Sequence, residues 1–109
     1  QMLLASIQLG GAGATMPPPG AEIARAVIDA YVAGEHARAA ESQLQFALFP
    51  ARWMHRGLTP TMKAAMRIIG VPVGDPYPPY AALDAEETKA LEAHLRTTLL
   101  AKRMLAPAR

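Results

Sequence analysis

The chain has 109 residues, of which ten are proline, eight glycine and none cysteine. That length suits one compact domain, and the missing thiols exclude a disulfide framework, a thiolate metal site and cysteine catalysis within it. Eleven Lys and Arg against nine Asp and Glu leave a formal charge of +2, with no basic cluster to grip nucleic acid. The apolar share of 51% is enough for a core and far from a disordered composition.

The sequence starts Gln1-Met2-Leu3-Leu4, without an initiator methionine. Leu3 to Leu9 is too short for a membrane span, which needs about 20 apolar residues. No basic residue precedes it, so it is not a signal peptide, and the first positive charge is Arg25. We read a chain that begins inside a longer protein. Met2 to Leu9 is expected to be helical, with Leu3, Leu4 and Ile7 on one side and Gly10-Gly11 as the stop. Ala12 to Met16 is short and made of small residues before Met16. Between a helix stop and a helix start, such a run fits a buried strand.

Pro17-Pro18-Pro19-Gly20 forms a stiff turn, because each proline fixes φ and removes a donor. A helix over Ala21 to Ala33 follows, with Ile23, Val27, Ile28 and Tyr31 as its apolar stripe. Gly34 sits where a helix-ending glycine belongs. Glu35 to His55 predicts a second helix, with Ala37, Ala40, Leu44, Ala47, Leu48 and Ala51 at helical spacing. Pro50 inside it predicts a kink or break. Thr59 as N-cap and Pro60 at the first position open a short helix. Its stripe is Met62, Ala65, Met66 and Ile69, with Lys63 and Arg67 outward, and Gly70 closes it.

Val71 to Tyr80 carries four prolines, so it should run extended over the surface. Asp84 and Glu87 are spaced as a capping box for the last helix. Leu91, Leu95, Leu99 and the stem of Lys102 would share one face beside Thr98, and Ala106 to Arg109 would fray. One strand makes no sheet. Either Ala12 to Met16 is not a strand and the chain is a helical bundle, or its sheet partners lie elsewhere.

Little here carries chemistry. His36, His55 and His94 form no i, i+3 or i+4 metal pair and read as solvated helix positions. Glu86-Glu87 is explained by the helix dipole, which favours negative charge in a first turn. Met62 and Met66 read as core, and Trp53 as a packing residue. Gly10-Gly11-Ala12-Gly13 lacks both dinucleotide and phosphate-loop spacing. The two serines, Ser6 and Ser42, stand in no G-x-S-x-G elbow. The chain offers no catalytic residue and no metal ligand set.

An ordered series of short motifs carries a family likeness. Leu9-Gly10-Gly11-Ala12-Gly13-Ala14-Thr15-Met16 resembles the stretch leading into the last barrel strand of the dihydrodipicolinate synthase / N-acetylneuraminate lyase family. Tyr31-Val32-Ala33-Gly34-Glu35, with Ala39-Ala40, resembles that family's junction between the eighth barrel helix and the next helix. Pro50 falls where members often carry a proline. Lys63 to Gly74 resembles the K-A-A-L-x-x-L-G-L-P-x-G segment. Pro78-Pro79-Tyr80 and Leu83 resemble the R-P-P-L-x-P-L run. Tyr77 replaces the arginine of many members, and Thr15-Met16-Pro17-Pro18 replaces the usual serine- and asparagine-bearing strand end.

The resemblance implies an α/β fold, the C-terminal part of a (β/α)8 TIM barrel of about 250 residues. Residues 1–33 would end the barrel (helix 7 remnant, strand 8, helix 8), and residues 34–109 would form a C-terminal helical region. The segment itself would be mostly α-helical. It also implies a cytoplasmic lyase that condenses or cleaves 2-oxo acids such as pyruvate through a lysine Schiff base, needing no metal or other cofactor. A sugar-acid dehydratase or aldolase of the same superfamily fits as well, and a non-catalytic helical interaction module is the rival. The reactive lysine and tyrosine would lie upstream, so Lys63, Lys89 and Lys102 do not inherit the role. Thr15, Met16 and Pro17 would line the substrate pocket or serve the structure alone, and a Thr15 contact would reach a carboxylate or alcohol. Partners would be a small 2-oxo acid and further copies of the chain, as a dimer or tetramer, with neither nucleic acid nor membrane. Unpaired strand edges at Ala12 to Met16 would make the isolated chain associate.

Overall fold

A computed structural model describes residues 2–104, the side chains of residues 48 and 50 excepted. The chain forms two compact units, Gln1–Leu48 and Phe49–Arg109. Among the described residues all regular structure is helical. The elements are α1 (Leu3–Gln8), α2 (Ala21–Val32), α3 (His36–Ala51), α4 (Leu58–Ile68), α5 (Ala85–Leu95) and α6 (Ala101–Met104). Short 3-10 turns occupy Pro18–Gly20 and Met54–Arg56. The expected fraying of Ala106 to Arg109 and the apolar place given to Leu48 lie outside the described residues.

In the first unit α1 and α2 pack together. Leu3, Ala24 and Val27 are buried, with Leu4, Ile7, Met16 and Ile28 packed against them. Ile23 and Ala30 extend the buried side of α2, much as its apolar spacing predicts. Helix α1 has no side-chain cap of its own. Its Leu4 N–H instead donates to Gln43 Oε1 on α3, at 2.9 Å, which satisfies one of the free donors of a first turn. The Pro17 turn behaves as expected and feeds α2 directly, with Gly20 N–H donating to Pro17 O at 2.9 Å. Gly20 lies against the Phe46 ring so closely that a Cβ would stand 2.6 Å from ring carbon Cε2.

Helices α1, α2 and α4 end in the same way. Gly10, Gly34 and Gly70 each follow the last turn at positive φ. Around Gly70 its own N–H donates to Arg67 O at 3.0 Å and Val71 N–H to Met66 O at 2.9 Å. This pair of bonds is the Schellman closure, and its left-handed residue favours glycine.

Two apolar faces differ from expectation. On α3 the buried positions are Ala39, Ser42, Phe46 and Phe49. Ala37, Ala40, Leu44 and Ala51 are exposed. Alanine buries little area, so the two phenylalanines decide which side faces inward. The helix includes Pro50 and stops at Ala51, short of the expected end at His55.

The second difference follows α5. That helix ends at Leu95, and Leu100 is buried where Leu99 was expected. Two hydroxyls account for it. Thr97 Oγ1 donates to His94 O at 2.7 Å, and Thr98 Oγ1 donates to Leu95 O at 2.7 Å. Such local bonds compete with helix continuation. Thr98 Oγ1 also accepts from Leu100 N–H at 3.2 Å, and the altered phase turns Leu100 inward.

In the second unit α4 packs against α5. Met62, Ala64 and Ala65 are buried on α4, and Leu91 and Leu95 on α5. A fully buried leucine is worth about 1.5–3 kcal/mol over an exposed one. Helix α4 begins at Leu58, one residue before the expected cap Thr59, because Gly57 turns the chain at φ 93°. Pro60 stays inside the first turn, where its missing N–H is not needed. Thr61, buried, directs its hydroxyl to Gly57 O at 3.0 Å and Trp53 O at 3.3 Å. Residues 71–83 carry no regular structure and are mostly exposed, as the prolines require. The Pro78–Pro79 peptide bond is cis.

The expected strand is not formed: Ala12 to Thr15 are exposed and in no ladder, and Met16 is half-buried. A strand is held by hydrogen bonds to another strand, and among the described residues there is none. The α/β expectation therefore resolves, for these residues, into a helical chain.

Replacing Thr98 by valine keeps the shape but leaves the buried Leu100 N–H unpaired. We expect a loss of about 1–3 kcal/mol in urea unfolding. Gly70→Ala should cost about 1–2 kcal/mol, because alanine resists the left-handed conformation. Gly74→Ala, in open space, should be close to neutral.

Candidate functional site

The pocket-wall candidates lie in the first unit, between α1 and α2. Thr15 is exposed, and Met16 and Pro17 are half-buried. Met16 packs on the Leu3, Ala24 and Val27 cluster, so its side chain serves the core. Thr15 therefore presents the more accessible polar group of the three. Nearby, Met2, Ala5, Ser6, Leu9 and Gly11 line an open groove along α1. Leu9 is 89% exposed at its edge.

Polar side chains in the second unit gather at the start of α5. Asp84 and Glu87 form the expected capping box: Glu87 N–H donates to Asp84 Oδ1 at 2.8 Å, and Asp84 N–H donates to Glu87 Oε2 at 3.1 Å. Two further side chains join it, which spacing alone does not show. Arg56 Nε donates to Glu87 Oε1 at 2.8 Å and His55 Nε2 lies 3.0 Å from the same oxygen. Arg56 Nη2 also reaches Asp84 Oδ2 at 3.3 Å.

The Arg56 bond, then the His55 and Asp84 backbone bonds, hold the Glu87 carboxyl down at about 2. A carboxylate so fully occupied takes up no proton near neutral pH and is a poor general base. The cluster is a brace rather than a reaction centre. A similar arrangement holds the proline-rich segment. Lys63 Nζ donates to Gly74 O at 3.2 Å, and Arg67 Nη1 to Asp75 Oδ1 at 2.7 Å. Both cations, expected simply to face solvent, strap residues 74–75 to α4.

Each histidine has surroundings of its own. His36 is exposed and meets Tyr31 edge-on, with centroids 5.8 Å apart. His55 belongs to the brace. His94 is no solvated position: its ring packs on Trp53, with centroids 5.5 Å apart and planes at 57°. Its Nε2 is buried without a hydrogen-bond partner among the described residues. Among the described residues no three His, Asp or Glu side chains gather as a metal site. No helix there is long and apolar enough to cross a membrane.

The ordered motifs remain the functional signal. Residues 1–98 match the Dihydrodipicolinate synthetase family. The chain belongs to this family. No curated protein and no solved structure matches it. The matched span runs from α1 through α5 and takes in every motif of the series. Members of the dihydrodipicolinate synthetase family are lyases. The capping box and the straps at Gly74 and Asp75 lie inside the matched span, so this family segment is held by polar contacts to α4 and to the turn before it.

Acid should uncover the brace in a defined window. The Glu87 pKa is lowered from 4.5 to about 2. Its contribution to stability is then fully present above about 4.5 and is lost as pH falls through about 2. Carbon-detected NMR of the side-chain carboxyl should give that low midpoint. Arg56→Ala should move it upward, toward the ordinary glutamate value.

Proposed function

We propose that this chain forms the C-terminal part of a (β/α)8-barrel lyase that acts on a 2-oxo acid through a lysine Schiff base. The observation that carries this reading is the family match over residues 1–98. The exposed small-residue run of Ala12 to Thr15 supports it. Flanked by α1 and α2, this run has the place of a last barrel strand whose partners come from other strands of the barrel. Helix α2 would then be the last barrel helix, and α3 to α6 the appended helical region.

In such an enzyme a lysine amine adds to the substrate ketone and water leaves. The protonated imine then takes up the electron pair of the adjacent C–C bond as that bond breaks, or returns it as the bond forms. That lysine is not assigned to this chain, whose Lys63 is engaged with Gly74 O. Barrel enzymes place their sites at the C-terminal ends of the strands, which puts Thr15 at the pocket wall. Its hydroxyl would donate to the substrate carboxylate or to an alcohol. The Thr15-Met16-Pro17 strand end departs from the usual pattern, and a sugar-acid dehydratase or aldolase of the superfamily is the second reading it favours. The active protein would be a homo-oligomer, a dimer or tetramer.

Borohydride reduction of the intact protein with pyruvate should fix a covalent adduct of pyruvate mass. An adduct with a 2-oxo sugar acid but not with pyruvate would select the second reading. No adduct with either would sink the Schiff-base proposal and favour the helical interaction module. Thr15→Val should raise KM about tenfold, the loss expected for one hydrogen bond to a charged group, and leave adduct formation intact.

A further inference from the structure

We infer that the packing of His94 on Trp53 is a pH-sensitive lock within the second unit, closed while the imidazole is neutral and released when it takes a proton. His94 lies in the last turn of α5 and meets Trp53, which follows the end of α3. The ring centroids are 5.5 Å apart, and Trp53 is only 6% exposed. The Nε2 atom of His94 is buried with no partner among the described residues. A neutral ring can leave this nitrogen unprotonated, with no N–H there to satisfy. An imidazolium must carry an N–H on Nε2 and has nothing there to receive it, which is costly for a charged donor.

The surrounding charges do not offset that cost. Burial is the larger influence on the ring and the positive charge of Arg52 the second, and both push its pKa below 6.5. The other charged groups on the packed elements are engaged elsewhere. His55 and Arg56 are held by Glu87 and Asp84. Lys63 and Arg67 of α4 bind Gly74 O and Asp75. On α5 itself, Glu92 pairs with Arg96 at 2.6 Å, and Glu86 and Lys89 are exposed. Lys102 and Arg103 of α6 are exposed and carry interactions of their own. A helix C-terminus ordinarily favours a cation, but here the last carbonyl of the ring's own residue is taken by Thr97.

The sign follows from the lowered pKa. The unfolded chain takes up the proton first as pH falls below about 6.5. Stability from His94 is therefore full above that value and is lost as pH falls through the lower folded value. This window opens at a higher pH than that of Glu87, whose contribution is full down to about 4.5.

Trp53 is the sole tryptophan of the chain, so its emission reads the lock directly. In the full 109-residue chain, emission should change with a midpoint below the ordinary histidine value, and the His94 Cε1 proton should titrate with the same midpoint. His94→Gln should abolish the transition. Arg52→Gln, at an exposed position, should shift the midpoint upward while leaving the fold intact. A midpoint at or above 6.5, or a transition that survives His94→Gln with its midpoint unchanged, would overturn the inference. So would an Arg52→Gln protein whose folded state is retained and whose midpoint does not move.

Discussion

The carboxylate of Glu87 accepts hydrogen bonds from Asp84 N–H, Arg56 and His55, and the placement of α5 depends on them. It ties the first turn of that helix to the turn at Met54–Arg56. Thr61 ties the next helix to the same region through the carbonyls of Gly57 and Trp53. Helix α4 in turn holds residues 74–75 through Lys63 and Arg67. The long connection from α4 to α5 is thus anchored at both ends by charged groups. Its prolines give it few backbone donors, and its exposure gives it little apolar burial. Side-chain cations supply what the backbone and the core do not.

An alanine-rich composition leaves much of the packing to a few large residues. Alanine fits any face of a helix and commits to none. On α3 the regular alanine and leucine spacing points one way, and Phe46 and Phe49 point another. The phenylalanines prevail because each removes far more area from water. On the last segment, leucine spacing alone would continue one helix to Lys102. Two threonine hydroxyls bonded to His94 O and Leu95 O end it instead.

The functional reading rests on order and not on a catalytic set. Each motif is short, and most are built from Ala, Gly, Pro and Leu. All of them lie within residues 1–98, the span that matches the family. The site itself was barely legible. A barrel pocket is assembled from the ends of several strands, and Thr15, Met16 and Pro17 are the residues of this chain that the proposed barrel would bring to one. Of those, Met16 turned out to serve the core of the first unit, because it lies within reach of α1 and α2.

The sequence by itself determined several of the helix ends. Gly10, Gly34 and Gly70 end them, the proline run opens α2, and Asp84 with Glu87 opens α5, since capping depends on residues a few positions apart. The tertiary structure alone decided which faces are buried, how Arg56 and His55 reach Glu87 over some 30 residues, and that His94 packs on Trp53 rather than facing water. Those outcomes depend on which side chains from distant parts of the chain compete for the same space and the same charge, and local spacing carries no record of that competition.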